Sequence, residues 1–101
     1  MFGDLVSKLK LAQEDSKNRM EQILVDGQAD NGNVKVVANA NKVIKQIYIS
    51  EELFNMGDKE AIEELTLVAV NKALEKAEAI YNEEMKGMAK DVIPPIPGIN
   101  F

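Results

Sequence analysis

The stretch that decides the fold runs from Asp58 to Lys90 and reads DKEAIEELTLVAVNKALEKAEAIYNEEMKGMAK. It contains no proline, its only glycine is Gly87, and Ala, Leu, Glu and Lys, which favour helix, fill most of it. Asp58 can cap its start. A helix over 58–90 would be about 50 Å long, whereas a compact domain of this size has a radius of gyration of about 13 Å. The helix must project or pack on a second copy, so we expect a homodimer.

The composition excludes several classes of protein. The chain has 101 residues, enough for one domain, and contains no cysteine and no histidine. Because these side chains supply most nucleophiles and acid–base groups, we expect no enzyme, no cofactor or metal, and no small-molecule substrate. No apolar run reaches the roughly 18 to 20 residues of a membrane span, and the charged N-terminus is unlike a signal peptide. We therefore expect a cytoplasmic protein without a membrane partner.

The remaining segments predict one α+β domain over residues 1–101. Apolar and small residues recur every three or four positions near the N-terminus, which predicts a first helix within residues 1–24. They are Phe2, Leu5, Leu9, Ala12, Ser16, Met20 and Ile23. A short capped helix is expected at 50–56, before the long helix at 58–90. All three prolines lie in 91–101, which predicts an extended apolar tail.

Residues 25–49 predict a three-stranded antiparallel meander. Gly27 weakens the first strand, Asn31-Gly32 is a strong hairpin signal, and Ala40-Asn41 would form the second loop. With that loop, one face of the sheet collects Val34, Val36, Ala38, Val43, Ile47 and Ile49, with Lys45 intruding. The other face collects Lys35, Val37, Lys42, Ile44, Gln46 and Tyr48.

The order of these elements, together with several short motifs, resembles the YbaB/EbfC family of bacterial nucleoid-associated proteins. The motifs are Met1-Phe2-Gly3, Gly32-x-Val34-Lys35-Val36, Ile47-x-Ile49 followed by Leu53, Ala69-Val70-Asn71-Lys72-Ala73, and Pro95-x-Pro97-Gly98 with the terminal Phe101. No single motif is specific, but the ordered set covers the whole chain.

The resemblance implies a small homodimer whose helices project like tweezers. It implies binding of double-stranded DNA with little sequence preference, in nucleoid organisation and regulation of gene expression. The alternative, which the sequence alone supports equally well, is a protein-binding adaptor or chaperone, because an acidic dimer with exposed helical grooves and an apolar tail suits that role.

Two cationic sets are the candidate DNA contacts, although a net charge of −5 is not typical of nucleic-acid binders. The first lies on the N-terminal helix and comprises Lys8, Lys10, Lys17 and Arg19. The second lies on the meander and includes Lys35 and Lys42. The alternatives are a solvated helix face for the first set and protection of the sheet edge for the second.

Two further features have simpler interpretations. The carboxylates of the long helix, such as Glu60, Glu64 and Glu78, could in principle bind a divalent ion, but their spacing is that of ordinary surface charges. The apolar tail could dock on a partner, dock across the dimer, or be a disordered end.

Overall fold

The structure is a computed structural model that describes residues 2–92. Its helices and strands follow one another in the predicted order. They are α1 (Phe2–Glu21), β1 (Leu24–Ala29), β2 (Val34–Asn39), β3 (Ile44–Ile49), α2 (Glu51–Asn55) and α3 (Lys59–Val92). The strands form one antiparallel sheet in the order β1-β2-β3. The predicted α+β class and element order are confirmed, and most of the predicted tail lies outside the described residues.

Helix α3 dominates the shape of the molecule. It has 34 residues, which corresponds to about 51 Å. Asp58 Oδ1 accepts a hydrogen bond from the Ala61 amide at 3.1 Å, so the predicted cap is present. The principal extents are 63 × 27 × 16 Å and the radius of gyration is 19.0 Å. The chain is therefore elongated, as the length of the helix predicts.

Two helix ends differ from the predictions. Helix α1 ends at Glu21 rather than at residue 24, because the Gln22 and Ile23 amides close a tighter last turn onto the carbonyls of Arg19 and Met20. Leu24 is then free to pair with Asn39 in the sheet. At the other end of the chain, α3 continues to Val92, so the segment predicted as tail from residue 91 begins in helix.

The core lies where α3 crosses β1 and β2. Ala69, Ala73 and Ala77 of α3 have no exposed surface. A Cβ built on Gly27 of β1 would lie 2.2 Å from the Ala69 carbonyl oxygen and 2.4 Å from the Ala73 nitrogen. Only glycine permits this approach, so Gly27 allows the tightest contact in the core rather than merely weakening its strand.

The register of β3 corrects the predicted assignment of faces. Val37 pairs with Gln46, but Ala38 pairs with Ile44, so a β-bulge takes Lys45 out of the alternation. Ile44 consequently packs against the core, although the sequence placed it on the outer face. Val43, predicted to be on the core face, is 49% exposed.

The bulge follows from the turn between β2 and β3. The Lys42 amide donates to the Asn39 carbonyl at 2.9 Å, and the Asn39 amide donates to the Val43 carbonyl at 2.9 Å, which closes a three-residue loop. Lys42 adopts the left-handed conformation with φ of 66° and extends the predicted two-residue loop, Ala40-Asn41, by one residue. The asparagines act through side chains instead, since Asn39 Oδ1 accepts from the amides of Asn41 and Val43.

Candidate nucleic-acid interface

Beyond the sheet, α1 and the last part of α3 run side by side in opposite directions. Ser16 Oγ donates to Glu84 Oε1 at 3.0 Å, and Arg19 also donates to that oxygen. Gln13 and Met88 line the same groove farther out, and Met20 and Tyr81 line it nearer the sheet. We call this helix pair, α1 with residues 80–92 of α3, the arm.

A small buried cluster joins the two helices of the arm. Ser16 and Met20 are 1% and 2% exposed, and their side chains face α3. The hydrogen bonds from Arg19 and Ser16 hold the pKa of Glu84 below its ordinary value, because both stabilise the carboxylate. The Met20 carbonyl accepts from the Ala40 amide at 3.1 Å, which ties α1 to the turn between β2 and β3.

Three of the predicted cations lie on one flank of the arm. Lys10 and Lys17 are two helical turns apart and so point to the same side of α1. Asn41 Nδ2 donates to the Lys17 carbonyl at 3.0 Å, which brings the β2–β3 turn to this side. Lys42 follows in that turn, with its Nζ 4.3 Å from the centroid of the Tyr81 ring. We call Lys10, Lys17 and Lys42 the basic flank.

The other predicted cations lie elsewhere. Lys8 and Arg19, eleven residues apart, share the opposite side of α1, and Arg19 is already paired with Glu84. Lys35 projects from the sheet face that α3 does not cover, where it lines a shallow concavity with Val37, Gln46 and Tyr48. It pairs with Gln28, towards the end of the sheet away from α1. The structure therefore divides the predicted set into three separate places.

The ion pairing of these cations also differs. Among the side chains described from 3 to 88, ion pairs within 4.0 Å involve Arg19, Lys59, Lys76 and Lys86. None of the basic flank takes part in these pairs, and all three of its lysines are exposed. Glu14 and Glu21 stand four residues from Lys10 and Lys17 and reduce the local potential. The flank offers three ammonium groups to an anion, on an otherwise acidic molecule.

An apolar groove lies directly beside the basic flank. It has a volume of about 420 Å³ and is lined by the apolar Met20, Val43, Tyr81, Met85 and Met88 together with the polar Gln13, Lys17 and Asn41. Sequence reasoning missed Tyr81 and Asn41 as partners of the lysines. The helical spacing of Tyr81, Met85 and Met88 was visible, but the approach of the β2–β3 turn depends on long-range packing.

Among the side chains that the structure describes, from residue 3 to residue 88, no cluster of three or more acidic groups is arranged to hold a metal ion. From residue 2 to residue 92, no helix combines the length and the apolar character needed to cross a bilayer.

Comparison with known proteins places the chain in a family. A sequence model of the YbaB/EbfC DNA-binding family matches residues 2–92. A nucleoid-associated protein of Flavobacterium johnsoniae is 35% identical over 95% of this chain and 92% of its own length. One from Chlorobium luteolum is 33% identical over 93% of this chain and 87% of its own length.

The fold comparison agrees with the sequence comparison. The crystal structure of an uncharacterized protein from Helicobacter pylori superposes with a TM-score of 0.77, covering 86% of this chain and 91% of that chain at 20% identity. That likeness shows a shared fold. The family match and the two bacterial relatives confirm the resemblance noted in the sequence: the chain belongs to the YbaB/EbfC DNA-binding family.

Proposed function

We propose that residues 1–101 act as one domain that binds double-stranded DNA as a homodimer in the nucleoid, without catalysis. The family is described as DNA-binding, and its bacterial relatives are named nucleoid-associated proteins. The basic flank supports the same role for this chain, since Lys10, Lys17 and Lys42 face solvent together and form none of the ion pairs seen among the described side chains. Two arms in a dimer would present two such flanks, as the tweezer geometry requires.

The chemistry of the flank favours contact with phosphates over reading of bases. Lysine ammonium groups neutralise phosphates without selecting a sequence, and contacts to the backbone fix position rather than specificity. We therefore infer loose sequence preference and a regulatory effect through DNA organisation. The net charge of −5 per chain opposes binding, so affinity should be modest and should fall steeply with salt.

The decisive experiment is a salt titration of a labelled duplex with matched double variants. Lys10→Gln with Lys17→Gln removes two charges from the basic flank. Lys59→Gln with Lys76→Gln removes two charges that are already paired, with Glu63 and Asp26, outside the arm. Each lost phosphate contact should reduce the steepness of log K against log salt by about 0.9. The flank variant removes two charges from each of two arms, so its slope should become shallower by up to about 4. The control variant should keep the wild-type slope.

Additional variants assign the remaining cations. The turn is tested by Lys42→Gln, and the sheet by Lys35→Gln. The opposite side of α1 is tested by the double variant Lys8→Gln with Arg19→Gln. We expect the slope to change for Lys42 and to stay nearly constant for Lys35. An absence of binding at low salt, or equal slopes for the flank and control variants, would rule out DNA binding through this flank.

We infer that the homodimer forms through the β3 edge of the domain. Helix α3 packs mainly on β1 and β2, and Lys72 Nζ donates to the Gln28 carbonyl on the β1 side at 3.1 Å. On the β3 side, Ile47 pairs with the fully buried Val36 yet is itself 50% exposed. A second copy would cover Ile47 and restore the burial that its position in the sheet calls for.

The neighbouring face of α3 extends this apolar surface. Leu67, Val70 and Leu74 recur at spacings of three and four and share a stripe with Tyr81. Because Tyr81 lies against Lys42 in the β2–β3 turn, the stripe faces the β3 side, and Leu67 is 62% exposed. The interface we propose thus joins Ile47 of the sheet to this stripe.

Sedimentation equilibrium tests the dimer. Ile47→Lys should shift the protein towards monomer, because it places a charge in an apolar interface. Leu24→Lys is the matched control, since Leu24 is 61% exposed on the opposite edge strand and should leave the mass unchanged. A monomeric wild-type protein at micromolar concentration would refute the dimer and, with it, the two-armed arrangement.

The protein-binding alternative gains support from one observation, the groove lined by Met20, Met85 and Met88. Methionine-lined surfaces adapt to varied apolar partners. If duplex DNA fails to bind at low salt while affinity capture yields one dominant polypeptide, and Met85→Lys abolishes that capture, the adaptor role replaces the DNA-binding role.

A further inference from the structure

The apolar stripe of α1 is covered at one end of the arm and bare at the other. Leu5, Leu9, Ala12, Ser16 and Met20 follow one another along a single face of the helix. Met20 and Ser16 are 2% and 1% exposed, whereas Leu9 is 39% exposed and Leu5 is 54% exposed. The neighbouring Val6 is 52% exposed. Burial is therefore lost progressively towards the N-terminus of α1.

The end of α3 explains where the cover stops. The two helices run antiparallel, with Ser16 opposite Glu84. Both rise by about 1.5 Å per residue, so residue 9 lies level with residue 91 and residue 5 with position 95. Helix α3 ends at Val92. Leu5 and Val6 thus lie beyond the last described turn of α3.

The nine residues that follow have the composition and length to fill this place. They read IPPIPGINF, from Ile93 to Phe101, and carry no charged side chain. Prolines at 94, 95 and 97 favour polyproline II, whose period of about three residues puts Ile93 and Ile96 on one side. At about 3.1 Å per residue the segment reaches about 28 Å, more than the roughly 11 Å from Leu9 to the start of α1. Pro97-Gly98 favours a type II turn, which would let the chain double back.

We propose that residues 93–101 dock on the exposed N-terminal half of α1 in the same chain. The isoleucines and Phe101 cover Leu5, Val6 and Leu9 and complete the arm as a third segment beside the two helices. The inference does not rest on DNA binding, because it concerns the tip of the arm and uses none of its lysines. Docking within one chain differs from the three alternatives given above for the tail, which were docking on a partner, docking across the dimer and a disordered end.

Disulfide trapping tests the proposal directly, since the natural sequence contains no cysteine. The test variant combines Leu5→Cys with Ile96→Cys. The control combines Ser7→Cys with Ile96→Cys, because Ser7 lies about 200° around the helix from Leu5 at nearly the same height. Under mild oxidation, the test pair should close within one chain at least about tenfold faster than the control pair, because docking raises the effective concentration of the two thiols.

Two results of the trapping experiment would overturn the proposal. Equal closure rates for the test and control pairs would show that the segment does not dock on this face. A disulfide between two chains, seen as a covalent dimer on a non-reducing gel, would show that the segment belongs to the second copy.

Hydrogen exchange supplies a measurement without cysteines. The test variant is the full chain with Ile93→Ser, Ile96→Ser and Phe101→Ser combined. Amide exchange in residues 4–12 should become about tenfold faster in this variant, while residues 62–77 keep their exchange rates. The matched control, Asn100→Ser, changes a polar residue of the same segment and should have no effect. Unchanged exchange in residues 4–12 would contradict docking on α1.

Discussion

The two halves of α3 pack in opposite styles. Over the sheet, Ala69 and Ala73 bring the helix backbone against Gly27 so closely that no side chain fits between them. In the arm, the same helix presents Tyr81, Met85 and Met88 to a groove, and a hydrogen-bonded carboxylate, Glu84, joins it to α1. Small residues allow one arrangement only, whereas methionines and exposed polar contacts allow several. The packing of the sheet half thus permits one arrangement, whereas the packing of the arm half can adjust.

The sharpest way to break this comparison is Gly27→Ala. The added methyl group meets backbone atoms that cannot move aside, so we expect a loss of more than about 3 kcal/mol in the free energy of unfolding. Urea denaturation at fixed protein concentration measures it, because dimerisation would add to apparent stability. A loss below about 1 kcal/mol would show that the helix can shift and that the contact is looser than described.

Met20→Ala tests the base of the arm. Met20 is 2% exposed, so truncation should cost about 3 kcal/mol and should speed hydrogen exchange in α1 more than in α3 over the sheet. Met56→Ala is the control, because Met56 is 71% exposed and should change stability by less than about 0.5 kcal/mol. Equal acceleration of exchange in both regions would mean that the arm and the sheet unfold as one unit.

Gly87→Ala should have a moderate effect of the opposite sign. Gly87 lies inside α3 in the arm, and no atom lies within 4 Å of a Cβ built there. Alanine should therefore stabilise the helix by about 1 kcal/mol, in contrast to the same substitution at Gly27. Thermal unfolding of the two variants side by side makes the comparison, and destabilisation by Gly87→Ala would indicate that this glycine is used as a bend.

The smallest expected effect is the pH dependence of the contact at Glu84. Its pKa is lowered in the folded state, so its contribution is complete above the ordinary carboxyl pKa and is lost as the pH falls through the lowered value. Arg19 is 63% exposed, so solvent and salt should limit the contribution to less than about 1 kcal/mol. Urea midpoints between pH 3 and 7 should depend less on pH in Glu84→Gln than in the wild type. Identical profiles would show that the contact does not persist in solution.

Much of the fold was predictable because its signals are local. The long helix, its cap at Asp58 and the Asn31-Gly32 hairpin all follow from neighbouring residues. The second turn was mispredicted because lysine rarely adopts the left-handed conformation that Lys42 adopts. That one residue sets the loop length, and the loop length sets which of Val43 and Ile44 faces the core.

The candidate interface was less predictable for a related reason. Spacing alone places Lys10 and Lys17 on one side of a helix. That Lys42 joins them depends on the hydrogen bond from Asn41 to the Lys17 carbonyl, across 24 positions of sequence. Lys35 also lies on the meander, but the fold places it on a surface distant from Lys10 and Lys17.

The continuity of α3 has a mechanical consequence. From Ala77, at the edge of the core, to Val92 the helix extends about 22 Å without a proline. This part of the helix therefore moves as one rigid segment, which pivots at the contact of the alanines with the sheet. A tilt of about 5° at that contact would move the tip by about 2 Å, given the same rise per residue. In the dimer that we propose, the gap between two such tips would be set at the sheet, so a substitution far from any lysine would change the width of nucleic acid that fits.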